Sequence, residues 1–485
     1  MDNTGRITRT LTSTARRIIF GSNADASLDA EMDHAAQVDI AHLLTLAERG
    51  IVDRTKACKL LQTIGELRQN NFAPLRQQAA PRGLYLLYEN YLIDALSPEV
   101  GGIIQTARSR NDLNATVVRL RLRAPFLRLL REALRLQAVL LRRARRYADV
   151  VMPAYTHYQA AVPVTYGHYL AGVAEALGRD IAAYFDAGTD IDRSPLGAGA
   201  VGGTSLPIDQ ERTASLLGFT RPALNSIDAV ASRDLILRLL ASAAILGVTL
   251  SRLSGDLLIW TTSEFDFLSL PDELVGSSSM MPQKRNPFLL EHVHGRSSFA
   301  LGSFVAAASA MHATPFSNSV AVSSEGVVHV WPALQKTTEA ITLLRLVVAG
   351  AIPRPQAMLE RAKSGYTGAT ELVNRLVTEA GEPFRSAHRT VGEIIRDAVA
   401  GGLGLEEATK QLLEERKIDS ANGLDPESVV RASIYGGGPG PSSLDNCLRS
   451  AQAEWTRLAQ RSQELARRWR AAEIKLSEAA DQLCR

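Results

Sequence analysis

Apolar residues recur at every third or fourth position along very long stretches of this chain, from Asp39 to Leu67, Asn114 to Val150, Val164 to Asp186, Ala229 to Thr262, Phe288 to His312 and Val330 to Ala349. That spacing places them on one side of an α-helix, whereas the strict alternation of a half-buried strand is scarce. At ~1.5 Å per residue, a helix from Ala229 to Thr262 would be about 50 Å long. Rods of that length cannot bury their apolar faces alone, and here those faces extend beyond one narrow stripe. The pattern predicts an all-α protein whose central bundle of long helices is covered on more than one side and assembles into a multi-subunit helical core.

Punctuation divides the chain into three regions. Gly101-Gly102 interrupts the first, and the two prolines of Ile352-Pro353-Arg354-Pro355 close a long helix. The expected organisation is an N-terminal helical domain over 1–105, a central long-helix domain over 106–356 containing a catalytic loop at 271–287, and a C-terminal helical domain over 357–485. The run from Gly436 to Pro441 reads as a chain reversal before a last, charged helix.

Composition excludes several classes. With 54 basic and 51 acidic residues among 485 the formal charge is only +3, so nothing argues for nucleic acid or for a membrane surface. The dense arginines between Arg119 and Arg146 alternate with apolar residues at helical spacing, as on a solvated helix face. Ile236 to Trp260 is the most apolar segment, but Arg238, Arg252 and Asp256 interrupt it, so it reads as a buried helix. The first twenty residues have no apolar stretch of about 7 to 15 residues of the secretory kind. Cys58, Cys447 and Cys484 are few, odd in number and far apart, which argues against a disulfide framework and for a reducing cytoplasm.

Gly197-Ala198-Gly199-Ala200-Val201-Gly202 matches the G-x-G-x-x-G pattern of dinucleotide-binding folds, but no strand or βαβ unit is expected around it and no P-loop lysine follows. It reads as a glycine-rich connector. His157 and His168 are separated by Pro163, and His292 and His294 diverge on a helix, so neither pair suits a metal. No cofactor and no metal are expected.

Three polar islands carry chemistry. Gly276-Ser277-Ser278-Ser279-Met280-Met281-Pro282-Gln283-Lys284-Arg285-Asn286-Pro287 places hydroxyls and cations on one loop, and Asn286-Pro287 reads as an N-cap followed by proline at the first helical position. The amides and positive end of that helix, with Lys284, suit a carboxylate. Thr106-Ala107-Arg108-Ser109-Arg110-Asn111-Asp112 combines guanidinium forks with hydroxyl and amide donors ahead of a long helix, a second carboxylate-binding composition. Tyr155-Thr156-His157-Tyr158-Gln159, between two helices, holds an imidazole that can move protons near neutral pH. Arg233 and Glu291 support the group. Together they would bind a small dicarboxylate and move protons without a cofactor.

In this order and at these spacings the islands resemble the fumarase/aspartase superfamily, and most closely argininosuccinate lyase, over nearly the whole chain. Ser194-Pro195-Leu196-Gly197, Pro207-Ile208-Asp209, Pro383-Phe384-Arg385-Ser386-Ala387-His388 and Gly436-Gly437 match that pattern as well. The resemblance implies a cytoplasmic homotetramer of amino-acid metabolism, of the arginine-biosynthesis type, whose active sites each draw islands from three subunits. It implies reversible β-elimination from an N-substituted aspartate, argininosuccinate or a related adduct, to fumarate and an amine-type product. By motif, Ser278 would be the base, with Lys284 and Asn286 stabilising the aci-carboxylate and His157, partnered by Glu291, serving proton transfer. Ser109, Asn111, Thr156 and Arg233 would hold the succinyl portion, with Arg110, Gln159 and Ser279 also against substrate.

The chain departs from the argininosuccinate lyase pattern where the nitrogen-bearing half of the substrate would lie. Asn318, Ser323 and Gly326 stand where that family has tyrosine, glutamine and lysine, and Gly83 to Tyr88 lacks its glutamate-aspartate-x-histidine element. Ala107, Leu113, Ala160 and Val162 also replace family residues. An altered amine is therefore expected. Alternatives are another superfamily enzyme, of the adenylosuccinate lyase, aspartase or cycloisomerase type, or a catalytically silent, crystallin-like relative.

Overall fold

A computed structural model describes residues 12–20, 24–76, 78, 80, 83–418 and 423–485. The first eleven residues of the stretch read for a leader lie outside the described part. Helices dominate, and the central bundle is built from Arg110–Arg146, Tyr166–Ala187, Asp234–Trp260, Phe288–Ser297, Phe299–Met311 and Val330–Gly350. The 43-residue helix Pro441–Leu483 returns from the C-terminal part to pack along Arg110–Arg146 and Tyr166–Ala187. Leu122, Leu129, Leu136, Leu170, Leu177, Leu239, Leu246, Leu334 and Leu344 fill the space between these rods and are buried to 0–1 % exposure.

Three of the periodic stretches are broken, each for a local reason. The stretch from Asp39 to Leu67 becomes Ala24–Glu48 and Arg54–Gln69, because Gly50 takes the left-handed φ of 66° and Asp53 then caps the next helix through the Lys56 N–H. The stretch from Ala229 becomes Ser226–Ala231 and Asp234–Trp260. There Ser232 is extended, and Arg233 folds its guanidinium back onto the carbonyls of Val230 and Ser232 at 3.0 and 2.8 Å. The stretch from Phe288 divides at Ser298 into two consecutive helices.

Short strands appear where none was expected. Val151–Thr156 and Gln159–Thr165 form an antiparallel hairpin between two helices of the bundle, Leu268–Ser269 pairs with Ile352–Pro353, and Arg193–Ser194 pairs in parallel with Arg221–Pro222. This last pair corrects the reading of the glycine-rich connector: a two-residue strand does precede it, and helix Gln210–Leu216 crosses over to the parallel partner. The connector's amides nevertheless have a protein acceptor. Gly197 and Gly199 both donate to Asp112 Oδ2 at 3.0 Å.

The cysteine reading is also corrected. Cys58 and Cys484 are joined by a disulfide across 426 residues of sequence, with Cα atoms 5.3 Å apart. Helical packing brings them together, because Arg54–Gln69 and the end of Pro441–Leu483 share a second core with Ala24–Glu48 and the start of Arg110–Arg146. A third core, around Leu372, Leu376, Val391 and Leu424, belongs to the C-terminal part.

Helix Asp234–Trp260 is long and apolar enough to cross a membrane by length and composition, yet half of its most apolar window is buried inside the protein. Ile245 and Val248 on its other side are 60 % and 57 % exposed, beside Leu301 and Val305 of the adjacent helix.

Candidate active site

The loop from Gly276 to Asn286 is closed at its neck. Gly276 and Asn286 exchange two backbone hydrogen bonds of 2.8 Å each, so Asn286 is a bridge residue rather than a helix cap. The helix begins one residue later than expected, at Phe288 behind Pro287, and the Asn286 side chain turns back to donate to the Ser277 carbonyl at 3.4 Å. Arg285 is occupied at the base of the loop, with the Asp272 carboxylate and, at 2.7 Å, the Leu270 carbonyl. Lys284 is left exposed at the loop surface with Ser279, and Glu291 is exposed in the first turn of the following helix.

Inside that loop, Ser278 has a distinctive setting. Its Oγ accepts backbone N–H bonds from Met280 at 3.3 Å and Met281 at 3.0 Å. Two fixed amide dipoles aimed at a hydroxyl oxygen lower the cost of negative charge there, the same electrostatics as an oxyanion hole. Sequence reading found the serine but not its donors, since backbone amides carry no residue signature.

The link between the two helices is a hairpin, and His157 is at its tip. Thr156 pairs with Gln159, leaving His157 and Tyr158 as a two-residue turn with φ of 52° and 60°. Both values lie in the left-handed region that non-glycine side chains seldom occupy, although two such residues match the right-handed twist of the flanking strands. The turn holds the imidazole out in solvent, and Thr156, His157, Tyr158 and Gln159 are all exposed in the single chain. Tyr155 anchors the hairpin, its ring 5.7 Å from that of Phe265 and 6.5 Å from that of Phe267.

The first island is a helix start built around Asp112. Ser109 and Asp112 form a capping box: the Ser109 N–H donates to Asp112 Oδ1 at 3.0 Å, and Ser109 Oγ accepts the Asn111 N–H at 3.3 Å. Burial pushes the Asp112 carboxyl up while the amides of Ser109, Gly197 and Gly199 and the Arg108 charge pull it down. Asn111 donates to the Ala200 carbonyl at 3.1 Å and accepts from Asn318 Nδ2 at 2.9 Å, while Arg110 remains exposed.

Beneath this island lies a polar cluster that the sequence did not reveal. Arg108 forms a fully buried ion pair with Asp39 at 2.5 Å, and Tyr85 bonds to both. His42 Nε2–H donates to the Thr106 carbonyl at 2.7 Å, and burial together with the Arg108 charge holds its imidazole down at about 3. Asp39, His42 and Tyr85 are far from residue 108 in sequence and carry no motif. Arg108 is thus a buried support of the island.

Arg233 is buried to 4 % exposure at the N-terminal end of Asp234–Trp260. Burial lowers its pKa to about 10, and Arg119 nearby falls to about 9 through burial and then the positive charges of Arg233 and Arg193.

The first two islands flank one helix: Ser109, Arg110, Asn111 and Asn318 gather at the start of Arg110–Arg146, with Arg233 near Arg119 farther along it, whereas Thr156, His157 and Gln159 follow the other end of this 37-residue helix, which is about 55 Å long. Within one chain His157 and Glu291 form no hydrogen bond among the described residues.

The family described as Lyase matches residues 65–302, and the one described as Argininosuccinate lyase C-terminal matches residues 366–431. The argininosuccinate lyase of Methanoculleus marisnigri is 37% identical over 86% of this chain and 87% of its own length. That of Methanosarcina barkeri is 33% identical over 86% of each. An EDDS lyase variant with bound fumarate superposes with a TM-score of 0.85 at 26% identity, covering 98% of this chain and 99% of that one. A class II fumarase from Schistosoma mansoni shares the fold at a TM-score of 0.70 and 17% identity, over 86% of this chain and 95% of its own.

Proposed function

The chain belongs to the argininosuccinate lyase family of all-α carbon-nitrogen lyases, and from that premise we propose how its residues divide the work. The reaction is reversible β-elimination of an N-substituted aspartate, argininosuccinate or a related adduct, to fumarate and an amine-type product. Ser278 is the base. It removes the proton from the carbon next to a carboxylate, and the pair of amides on its Oγ stabilises the alkoxide form this requires. That pair of hydrogen bonds is the observation that carries the assignment.

The aci-carboxylate so formed gathers negative charge, which Lys284 on the same loop, with Asn286 and Ser279, stabilises. His157 at the hairpin tip, partnered by Glu291, delivers a proton to the departing nitrogen or polarises the carboxylate. Ser109, Arg110, Asn111, Thr156, Gln159 and Arg233 hold the succinyl half. Because a helix of about 55 Å separates the first island from the second, a working site needs more than one chain, and a homotetramer with shared sites is the assembly proposed. The exposed Ile245, Val248, Leu301 and Val305 supply an apolar face for it. The compartment proposed is the cytoplasm.

The direct test is fumarate absorbance on adding aspartate adducts to wild-type protein and to Ser278→Ala. Turnover by the wild type and its loss in Ser278→Ala is the expected pair of results. Unchanged turnover in the variant would remove Ser278 from the role of base.

A further inference from the structure

The hairpin that carries His157 is not one uniform ladder. Val151, Met152 and Pro153 pair with Thr165, Val164 and Pro163, the register then slips, and beyond the slip the pairs are Tyr155 with Ala160 and Thr156 with Gln159. An irregularity of this kind bends a hairpin and re-aims what lies past it, so the ladder alone does not set the direction of the tip. The outer pair, Thr156 and Gln159, is exposed, as is His157 itself. The inner pair is docked. Tyr155 lies against Phe265 and Phe267, and Phe267 is fixed in turn: it is 1% exposed, its N–H donates to the Trp260 carbonyl at 3.0 Å, and its carbonyl accepts the Arg354 N–H at 2.8 Å. Helix Pro355–Ser364 then packs on both strands of the hairpin. Just past its end, a Cβ placed on Gly365 would lie 3.1 Å from Ala160 Cβ and 3.2 Å from the Arg361 carbonyl oxygen. Directly opposite residues of an antiparallel pair share a face, so Tyr155 and Ala160 form one patch between Phe265 and Phe267 and the start of the C-terminal part.

We infer that Tyr155, Ala160 and Gly365 are positioning residues for His157: through this one docked pair they set where the imidazole stands when it serves the departing nitrogen. The assignment rests on the lyase reading above, and none of the three needs to touch substrate. In the step concerned an imidazolium N–H bond breaks and an N–H bond forms on the amine, while the C–N bond gives its electron pair to nitrogen. Imidazolium and the aci-carboxylate adduct thus become imidazole, free amine and fumarate. Such a transfer tolerates little misplacement, since a shift of about 1 Å can cost about 10²-fold. Loss of the Tyr155 ring frees the pair from Phe265 and Phe267, and a side chain at 365 presses on Ala160, three residues from His157. Either change moves the tip.

The test is a double-mutant cycle read as kcat for fumarate release from argininosuccinate and from N-methylaspartate. Tyr155→Leu is expected to lower kcat about 10- to 100-fold in the wild type. In a His157→Ala background the same change is expected to cost less than about twofold, because the contact reaches the substrate only through the imidazole. Tyr155→Phe keeps the ring and is expected to keep the activity. Gly365→Ala is expected to lower kcat, and Ala160→Gly added to it to restore it, since the second change removes the methyl that the first one meets. Equal losses from Tyr155→Leu in both backgrounds, or a Gly365→Ala loss that Ala160→Gly leaves in place, would overturn the inference and leave the lyase reading intact. Absence of fumarate release from every aspartate adduct with the wild type would overturn both.

Discussion

Ser109 caps the start of the continuous helix Arg110–Arg146, about 55 Å long, and His157 sits at the tip of the hairpin that follows its other end. If both serve one site, they reach it from different copies of the chain.

This separation makes subunit mixing informative. Asn111→Ala and His157→Ala homo-oligomers are each expected to be nearly inactive, while co-refolded 1:1 mixtures recover about a quarter of wild-type activity, the fraction of sites that draw intact islands from both parents in random assembly. Fumarate release measured before and after mixing decides. No recovery would place both residues in one chain's site.

Ser278→Ala removes the proposed base and leaves the neck of its loop intact, because the Gly276–Asn286 bridge is made of backbone atoms. A loss of about 10²- to 10⁴-fold in kcat is expected with little change in the thermal midpoint. Stopped-assay fumarate measurement and a melting curve check the two halves of the statement separately.

Stability should depend on pH through His42. Its folded pKa of about 3 lies below the ordinary 6.5, so the folded protein keeps it neutral while the unfolded chain protonates. The contribution is complete above pH 6.5 and is lost as pH falls toward 3, at a limiting slope of about 1.4 kcal/mol per pH unit. Chemical unfolding at several pH values between 4 and 7 should show that slope in the wild type and a shallower one in His42→Gln. Equal slopes would mean that His42 is not the group taking up the proton.

The Cys58–Cys484 bond ties a helix of the N-terminal part to the chain's last residues. Reductant is expected to lower the unfolding midpoint, and Cys58→Ser to lower it alike and abolish the response to reductant, with a loss of about 2 to 5 kcal/mol. Arg54 also donates to the Leu483 carbonyl at 2.8 Å, so the helix end should stay docked and fumarate release stay near wild type. A midpoint indifferent to reductant would show that this bond contributes nothing.

The helical rods were legible because helix burial leaves a periodic trace: Val164 to Asp186 and Val330 to Ala349 are helices within a residue or two of the expected bounds. The three polar islands were legible for a related reason, since their hydroxyls, amides and cations fall in short runs. What escaped was mostly backbone conformation. Nothing in Thr156-His157-Tyr158-Gln159 announces a tight turn, because it lacks the glycine or asparagine that usually supplies positive φ. Asn286 looks like a cap by type, yet its backbone is engaged by Gly276.

The sequence by itself determined an all-α bundle of long rods and three polar islands, because periodic burial and local polar composition are both written in neighbouring residues. Only the tertiary structure decided that Asp39 neutralises Arg108, that Cys58 meets Cys484, that Met280 and Met281 aim their amides at Ser278, and that Asn318 reaches Asn111. Those pairings depend on where folded rods and loops bring distant side chains and backbone dipoles, and linear spacing holds no record of that.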